Sequence, residues 1–141
     1  MRLLFLSNLY PPYEIGGYEQ WCHEVAVSLR ERGHEVTVLT SRYGLNGTPL
    51  DEQDIIRTLY LQADVHYYKP LDFFLHRGRR ERANQEELRK VLADKEPDLV
   101  VIWGMWNLGR DLVHYVEQCV PKRVAYYISS YWPNDVDIHE E

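Results

Sequence analysis

The chain has 141 residues, 45% of them hydrophobic, with a net charge of −6 and a pI near 5.5. That is one domain's worth of sequence, long enough to bury about 68–70% of its unfolded surface, and too acidic for non-specific nucleic-acid binding, which needs a basic face. Cys22 and Cys119 are too few for a disulfide framework; both are expected to pack as small apolar residues in a reduced, cytosolic setting.

The opening apolar run, Leu3 to Leu6, reads as a buried strand that stops at Ser7 and Asn8, too soon for a signal peptide. The loop that follows contains Pro11-Pro12, which cannot continue a strand or helix, and closes on Gly16-Gly17. Tyr18, Trp21, Cys22, Val25, Ala26 and Leu29 then recur at helical spacing, while Glu19, Gln20, Glu24, Arg30 and Glu31 fall largely elsewhere. Gly33 supplies a stop, and a second strand runs to Thr40. Residues 41–54, with Gly44, Asn46-Gly47 and Pro49, read as an excursion from the sheet.

A third strand is expected from Ile55 to Leu61. Pro70 opens a segment that becomes helical by Leu71 or Asp72 and runs to about Lys95, interrupted by Gly78, with an apolar stripe of Leu88, Val91 and Leu92. Its arginines, Arg77, Arg79, Arg80 and Arg82, form either a solvated face or a contact for anionic lipid or an anionic acceptor. Asp98 to Trp103, apolar almost throughout, is a central parallel strand. Its run on to Trp106 is still too short to span a bilayer. Gly104 to Asn107 makes its exit loop, Leu108 to Cys119 a helix, and Arg123 to Ile128 a last strand, which Ser129 to Pro133 leaves.

Strands alternating with helices predict an α/β, doubly wound, Rossmann-like and mainly parallel sheet with helices on both faces, in the order 3-2-1-4-5. Ligands in such sheets collect beyond the carboxyl ends of the strands at the switch point. Three loops meet there, bringing Tyr10, Tyr13, Trp106, Tyr131 and Trp132 beside Asn8, Glu19, Asn107, Ser129 and Ser130. Rings next to hydrogen-bonding groups suit a sugar, although aromatics at strand ends also fill cores. Gly16 and Gly17 either simply shape their loop or aim free N–H groups and a helix start at an anion such as a diphosphate. There is no G-x-G-x-x-G, no P-loop and no G-x-S-x-G elbow. His23 and His34 read as a helix and a turn residue, and no histidine spacing argues for metal.

Taken together, LSNLYPPYEIGGYEQWCHEVAVSLRERGHEVTVLTS, DLVVIW and YYISSYWP resemble the amino-terminal domain of the family 4, or group 1, retaining glycosyltransferases, which have the two-Rossmann-domain GT-B fold. The resemblance implies that residues 1–141 are the acceptor-side domain of an enzyme moving a sugar from a nucleotide-sugar donor, without metal or other cofactor. It also implies that a carboxyl-terminal donor domain is absent from this chain, so the piece alone is expected to be inactive. The end at DIHEE, with no capping element, suggests that the parent chain continues. Gly16 and Gly17 match the pair that lies near the donor diphosphate; Tyr13, Glu19, Trp106, Asn107, Ser130, Tyr131 and Trp132 are the acceptor or sugar candidates. One departure stands out: where the family often has His-Asp before Tyr-Trp, this chain has Ser129-Ser130. Ser129 can donate a hydrogen bond but cannot become a cation. A noncatalytic relative of the same fold is therefore the main rival. A receiver-like or flavodoxin-like module is a weaker one, because Ser7-Asn8 and Tyr-Pro-Pro-Tyr stand where such modules carry acidic or Ser/Thr-rich loops.

Overall fold

Strand β1 (Arg2–Ser7) shows why the chain folds as two layers over one sheet. Its side chains alternate, sending Leu4 and Leu6 to one face and Leu3 and Phe5 to the other. Both faces are apolar, so both need covering, and helices cover them. The computed structural model describes residues 1–45, 52–67 and 69–129. Within these, α1 (Gly17–Glu31), β2 (Glu35–Ser41), β3 (Ile55–Leu59), α2 (Pro70–Lys95), β4 (Leu99–Gly104), α3 (Arg110–Cys119) and β5 (Val124–Tyr126) follow β1. The five strands form one sheet in the order β3-β2-β1-β4-β5, with every pairing parallel. This is the expected doubly wound α/β architecture and strand order.

On one face, Leu4, Leu6, Leu39, Val100 and Ile102 pack against Leu88 and Val91 of α2 and Leu112 and Val116 of α3. On the other, Leu3, Phe5, Val36, Val38 and Trp103 meet Cys22 and Ala26 of α1. Small residues at Cys22 and Ala26 let α1 lie close to the sheet, which narrows its buried face. Trp21 and Val25, expected to face inward, are therefore exposed, Trp21 by 53%. Glu19, expected outside the stripe, is only 7% exposed. Gly33, at φ 86°, takes the left-handed backbone that ends this helix.

Several boundaries shift for identifiable reasons. β3 ends at Leu59 rather than Leu61 because the next backbone pairs with a side chain: Asn84 Oδ1 accepts from Tyr60 N–H at 2.7 Å, and its amide donates back to Tyr60 O at 2.8 Å. α2 starts at Pro70, suited to a first helical position, and passes through Gly78 without interruption. α3 begins at Arg110 rather than Leu108, whose N–H closes a turn on Met105 O. β5 keeps only Val124–Tyr126 of the expected Arg123 to Ile128, although Tyr127 N–H still bonds Ile102 O at 2.9 Å. Part of the expected 41–54 excursion lies outside the described residues. Among the described residues, no helix is long and apolar enough to cross a membrane.

The two cysteines differ, contrary to the expectation that both are packed. Cys22 is buried, and burial pushes its thiol up to about 12, whereas Cys119 is exposed at the end of α3. A thiol reagent at neutral pH should therefore label the native chain once, at Cys119, with Cys22 reacting only on denaturation. Mass spectrometry of the labelled peptides checks this; rapid native labelling of Cys22 would show that α1 opens locally.

Candidate functional site

The strand order reverses between β1 and β4, so the crossovers leaving these two strands diverge and leave a crevice at their carboxyl ends. A cleft of about 470 Å³ lies there, lined by Asn8 from β1's exit, Gly16, Gly17 and Glu19 at the start of α1, Trp106 after β4, and Ser129 after β5, among others. The three loops expected to converge thus contribute to one cleft. Trp106 and Ser129 are both solvent-accessible on its wall.

Tyr18, which lines the cleft, belongs to an aromatic cluster beside it. Trp103 lies parallel to Tyr127, with centroids 4.1 Å apart and an interplanar angle of 7°, and stacks on Phe5 at 5.7 Å. Trp103 Nε1 donates to Tyr18 O at 3.1 Å, and the Tyr18 hydroxyl sits between the Trp103 and Tyr127 carbonyl oxygens. These contacts tie α1's first turn to the exits of β4 and β5. Gly104 is needed where Tyr18 closes over it: an added Cβ would stand 2.7 Å from the Tyr18 ring and 2.8 Å from Asn8 Oδ1. Asn8 Oδ1 itself is buried with no hydrogen-bond partner among the described residues.

Gly16 and Gly17 are different. Gly16 has φ −150° and ψ −173°, extended backbone that any residue adopts, and a Cβ there would meet only Glu19 Oε2 at an ordinary 3.8 Å. A Cβ on Gly17 would meet nothing within 4 Å. Neither conformation nor packing within the described residues calls for glycine at either position. Gly16 is not a free donor, however. Its N–H bonds Glu19 Oε2 at 3.1 Å, the half of a capping box in which a third-position carboxylate reaches back. The N–H group of Gly17, at the first helical position, lacks an intrahelical acceptor. Among the described residues no Lys or Arg lines the cleft, so the attraction these residues offer an anion comes from backbone and helix start.

Two candidates lie elsewhere. Asn107, at φ 60°, uses its side chain as a strand substitute: Oδ1 accepts from Ala63 N–H at 2.9 Å and its amide donates to Ala63 O at 2.8 Å. It fixes the loop beyond β3 instead of lining the cleft. Tyr13 packs on the other side of its loop, where a Cβ at Gly44 would collide with its ring at 2.2 Å, and Arg57 lies 5.6 Å above its centroid. Tyr10 is buried, with its hydroxyl 3.0 Å from His23 Nδ1, and burial raises it to about 12. Ser130, Tyr131 and Trp132 lie outside the described residues.

The main residue that sequence reasoning missed is Arg57. Its side chain is nearly buried in β3, paired with Glu52 at 2.6 Å, and it donates to Tyr10 O at 3.0 Å and Pro11 O at 2.5 Å. It therefore fastens the loop whose Pro11–Pro12 peptide is cis and which ends at Gly16. The available signal was an arginine in phase with Leu59 on a strand.

Of the five arginines of α2, the four from Arg77 to Arg82 separate into two pairs. Arg77 bonds Glu81 at 2.8 Å, and Arg80 bonds Asp72 at 2.7 Å and Gln62 O at 2.8 Å. Arg79 and Arg82 are exposed and form no ion pair among the described residues. No group of three or more His, Cys, Asp or Glu that could hold a metal occurs among those residues.

Compared with known proteins, residues 15–133 match the sequence model of Glycosyltransferase Family 4. That match spans most of the chain, including α1, every later element and the lining of the cleft apart from Asn8. No curated protein matches the chain significantly.

Proposed function

The chain belongs to Glycosyltransferase Family 4, and from that premise we propose that it is the acceptor-side domain of a retaining enzyme. In this reading a hexosyl group passes from a nucleotide-sugar donor to a glycan, lipid or small-molecule acceptor at the cytoplasmic side, without metal. Gly16 and Gly17 face the donor diphosphate, and Trp106, Ser129 and the neighbouring Ser130, Tyr131 and Trp132 meet sugar. Most donor contacts come from a second domain.

The observation that carries this reading is that two adjacent glycines border the cleft although packing among the described residues requires glycine at neither, and Gly17, inside the helix, lacks even the N-cap preference that suits Gly16. A ligand backing closely onto the main chain supplies a reason. The leaving diphosphate gathers negative charge as the glycosidic bond breaks, and the helix start with the Gly17 N–H is preorganised to stabilise it. Closure of a second domain would exclude water and limit hydrolysis of the donor. Glu19 secures the Gly16 end of the turn rather than serving as a free acceptor contact.

The test is transfer by the protein carrying both domains, assayed with a panel of nucleotide sugars, with the anomeric configuration of the product read by NMR. Retention is expected, and Ser129→Ala should lower turnover by about fivefold with the melting temperature unchanged, because one substrate hydrogen bond is lost from an exposed side chain. Unchanged kinetics would remove Ser129 from the site. Ser129-Ser130 in place of His-Asp also favours a second reading, a noncatalytic sugar-nucleotide-binding domain. Binding without transfer would support it, and an absence of both would overturn both readings.

A further inference from the structure

The first two turns of α2 carry three large apolar side chains that the fold leaves uncovered: Leu71 is 78% exposed, Phe74 70% and Leu75 74%. Their neighbour Phe73 is buried and anchors the helix, so the exposed three are an outward face of a well-seated element. At about 100° per residue, Leu71, Leu75, Gly78 and Arg82 fall on one stripe, with Phe74 and Arg79 flanking it. Gly78 has open space around it and leaves the stripe flat.

We infer that this stripe docks on an anionic lipid surface, with Leu71, Phe74 and Leu75 entering the acyl boundary and Arg79 and Arg82 meeting headgroup phosphates. Charge complementarity selects this occupant. The chain as a whole is acidic, at −6, and should be repelled by such a surface. On this helix, however, the acidic side chains nearest the stripe are spent: Asp72 on Arg80, Glu81 on Arg77 and Glu86 on Arg89. The two arginines without an ion pair among the described residues are those one and two turns beyond the apolar residues. Long arginine stems can lie along the apolar boundary while their heads stay with phosphate. A second copy of the chain would cover the apolar side chains but would bring no free carboxylate of this stripe to the arginines.

The placement also has a spatial consequence. α2 starts where the chain has left the carboxyl end of β3, the same end of the sheet on which the cleft opens. A bilayer under this helix would lie beside the rim of the cleft, within reach of a lipid-borne acceptor. The docking itself does not depend on sugar transfer.

Flotation of the full chain with vesicles of phosphatidylcholine, alone or with about 30 mol % phosphatidylglycerol, tests the inference. Binding to the anionic vesicles should exceed binding to neutral ones by about tenfold or more, and should weaken with added salt. The triple change Leu71→Ser, Phe74→Ser and Leu75→Ser should abolish binding to both. Arg79→Gln with Arg82→Gln should cut anionic binding by up to about fivefold for each arginine, toward its level on neutral vesicles. Arg89→Gln, which removes a charge already paired with Glu86, should change it by less than about twofold. All of these side chains are exposed, so an unchanged melting temperature separates lost docking from lost folding. No binding to either vesicle, or full binding by the serine triple, overturns the inference. So does a concentration-dependent dimer in sedimentation that the serine triple dissolves, since the stripe would then belong to a second copy.

Discussion

Replacing Arg57 with leucine should cost about 3 kcal/mol of folding stability, near the lower end of what breaking a buried ion pair costs. In a domain of this size that corresponds to a fall in melting temperature of about 10 °C. The reasoning starts from solvation. The Arg57 side chain is 4% exposed and that of Glu52 is 21% exposed, so both have given up most of their hydration for each other. Leucine fills part of the space but leaves Glu52 without its partner and the carbonyls of Tyr10 and Pro11 without donors. Glu52→Gln is the contrasting case. It leaves the buried Arg57 charge without a counter-ion but keeps an acceptor and the bonds to Tyr10 O and Pro11 O, and should cost less, about 2 kcal/mol. Thermal melts of the two variants decide the matter. Equal small losses would mean that the loop from Tyr10 to Gly16 is held by other contacts.

The same residue shows where sequence reasoning reached and where it stopped. Apolar periodicity in β1, β4 and α3, together with the requirement that parallel neighbours be joined by crossovers, was enough for the fold, the strand order and the location of the cleft. These are properties of many residues acting together, and one misplaced side chain does not upset them. Single-residue roles are different. Asn84 and Asn107 each spend an amide on the backbone of the segment after β3, and Arg57 caps the carbonyls of a loop more than forty positions away. Such pairings depend on which loop crosses which strand end, and no periodicity encodes that. Asn107, a ligand candidate by sequence, braces the loop beyond β3, and Tyr13, another, packs against Gly44 outside the described lining of the cleft. Trp21 and Glu19 exchanged their expected places because Cys22 and Ala26 let the helix sink toward the sheet. For Gly16 and Gly17, two readings were open from sequence. The geometry around them now weighs against the view that they merely shape the loop, since neither has a positive φ or a crowded Cβ.

That weighing yields the second large prediction. In the protein carrying both domains, Gly17→Ala should leave stability equal or raise it by about 0.5 kcal/mol, because alanine fits the helical first turn and restricts the unfolded chain. Transfer should nevertheless fall by about tenfold or more, since in the proposed reading a methyl group would stand where the donor diphosphate approaches the Gly17 N–H. Stability and activity thus move in opposite directions, which a merely structural role for the glycine cannot produce. Gly16→Ala should lower transfer more mildly, because its N–H is already committed to Glu19, and should cost some stability, because Gly16 is the N-cap of α1, where alanine is disfavoured. Steady-state kinetics carry a further distinction. A rise in KM with kcat preserved would place the lost contact on the bound donor as a whole. A fall in kcat with KM preserved would place it on the charge that develops as the sugar leaves. Full activity in Gly17→Ala would end the argument that close approach of a ligand explains the glycine pair, and would return both residues to the loop.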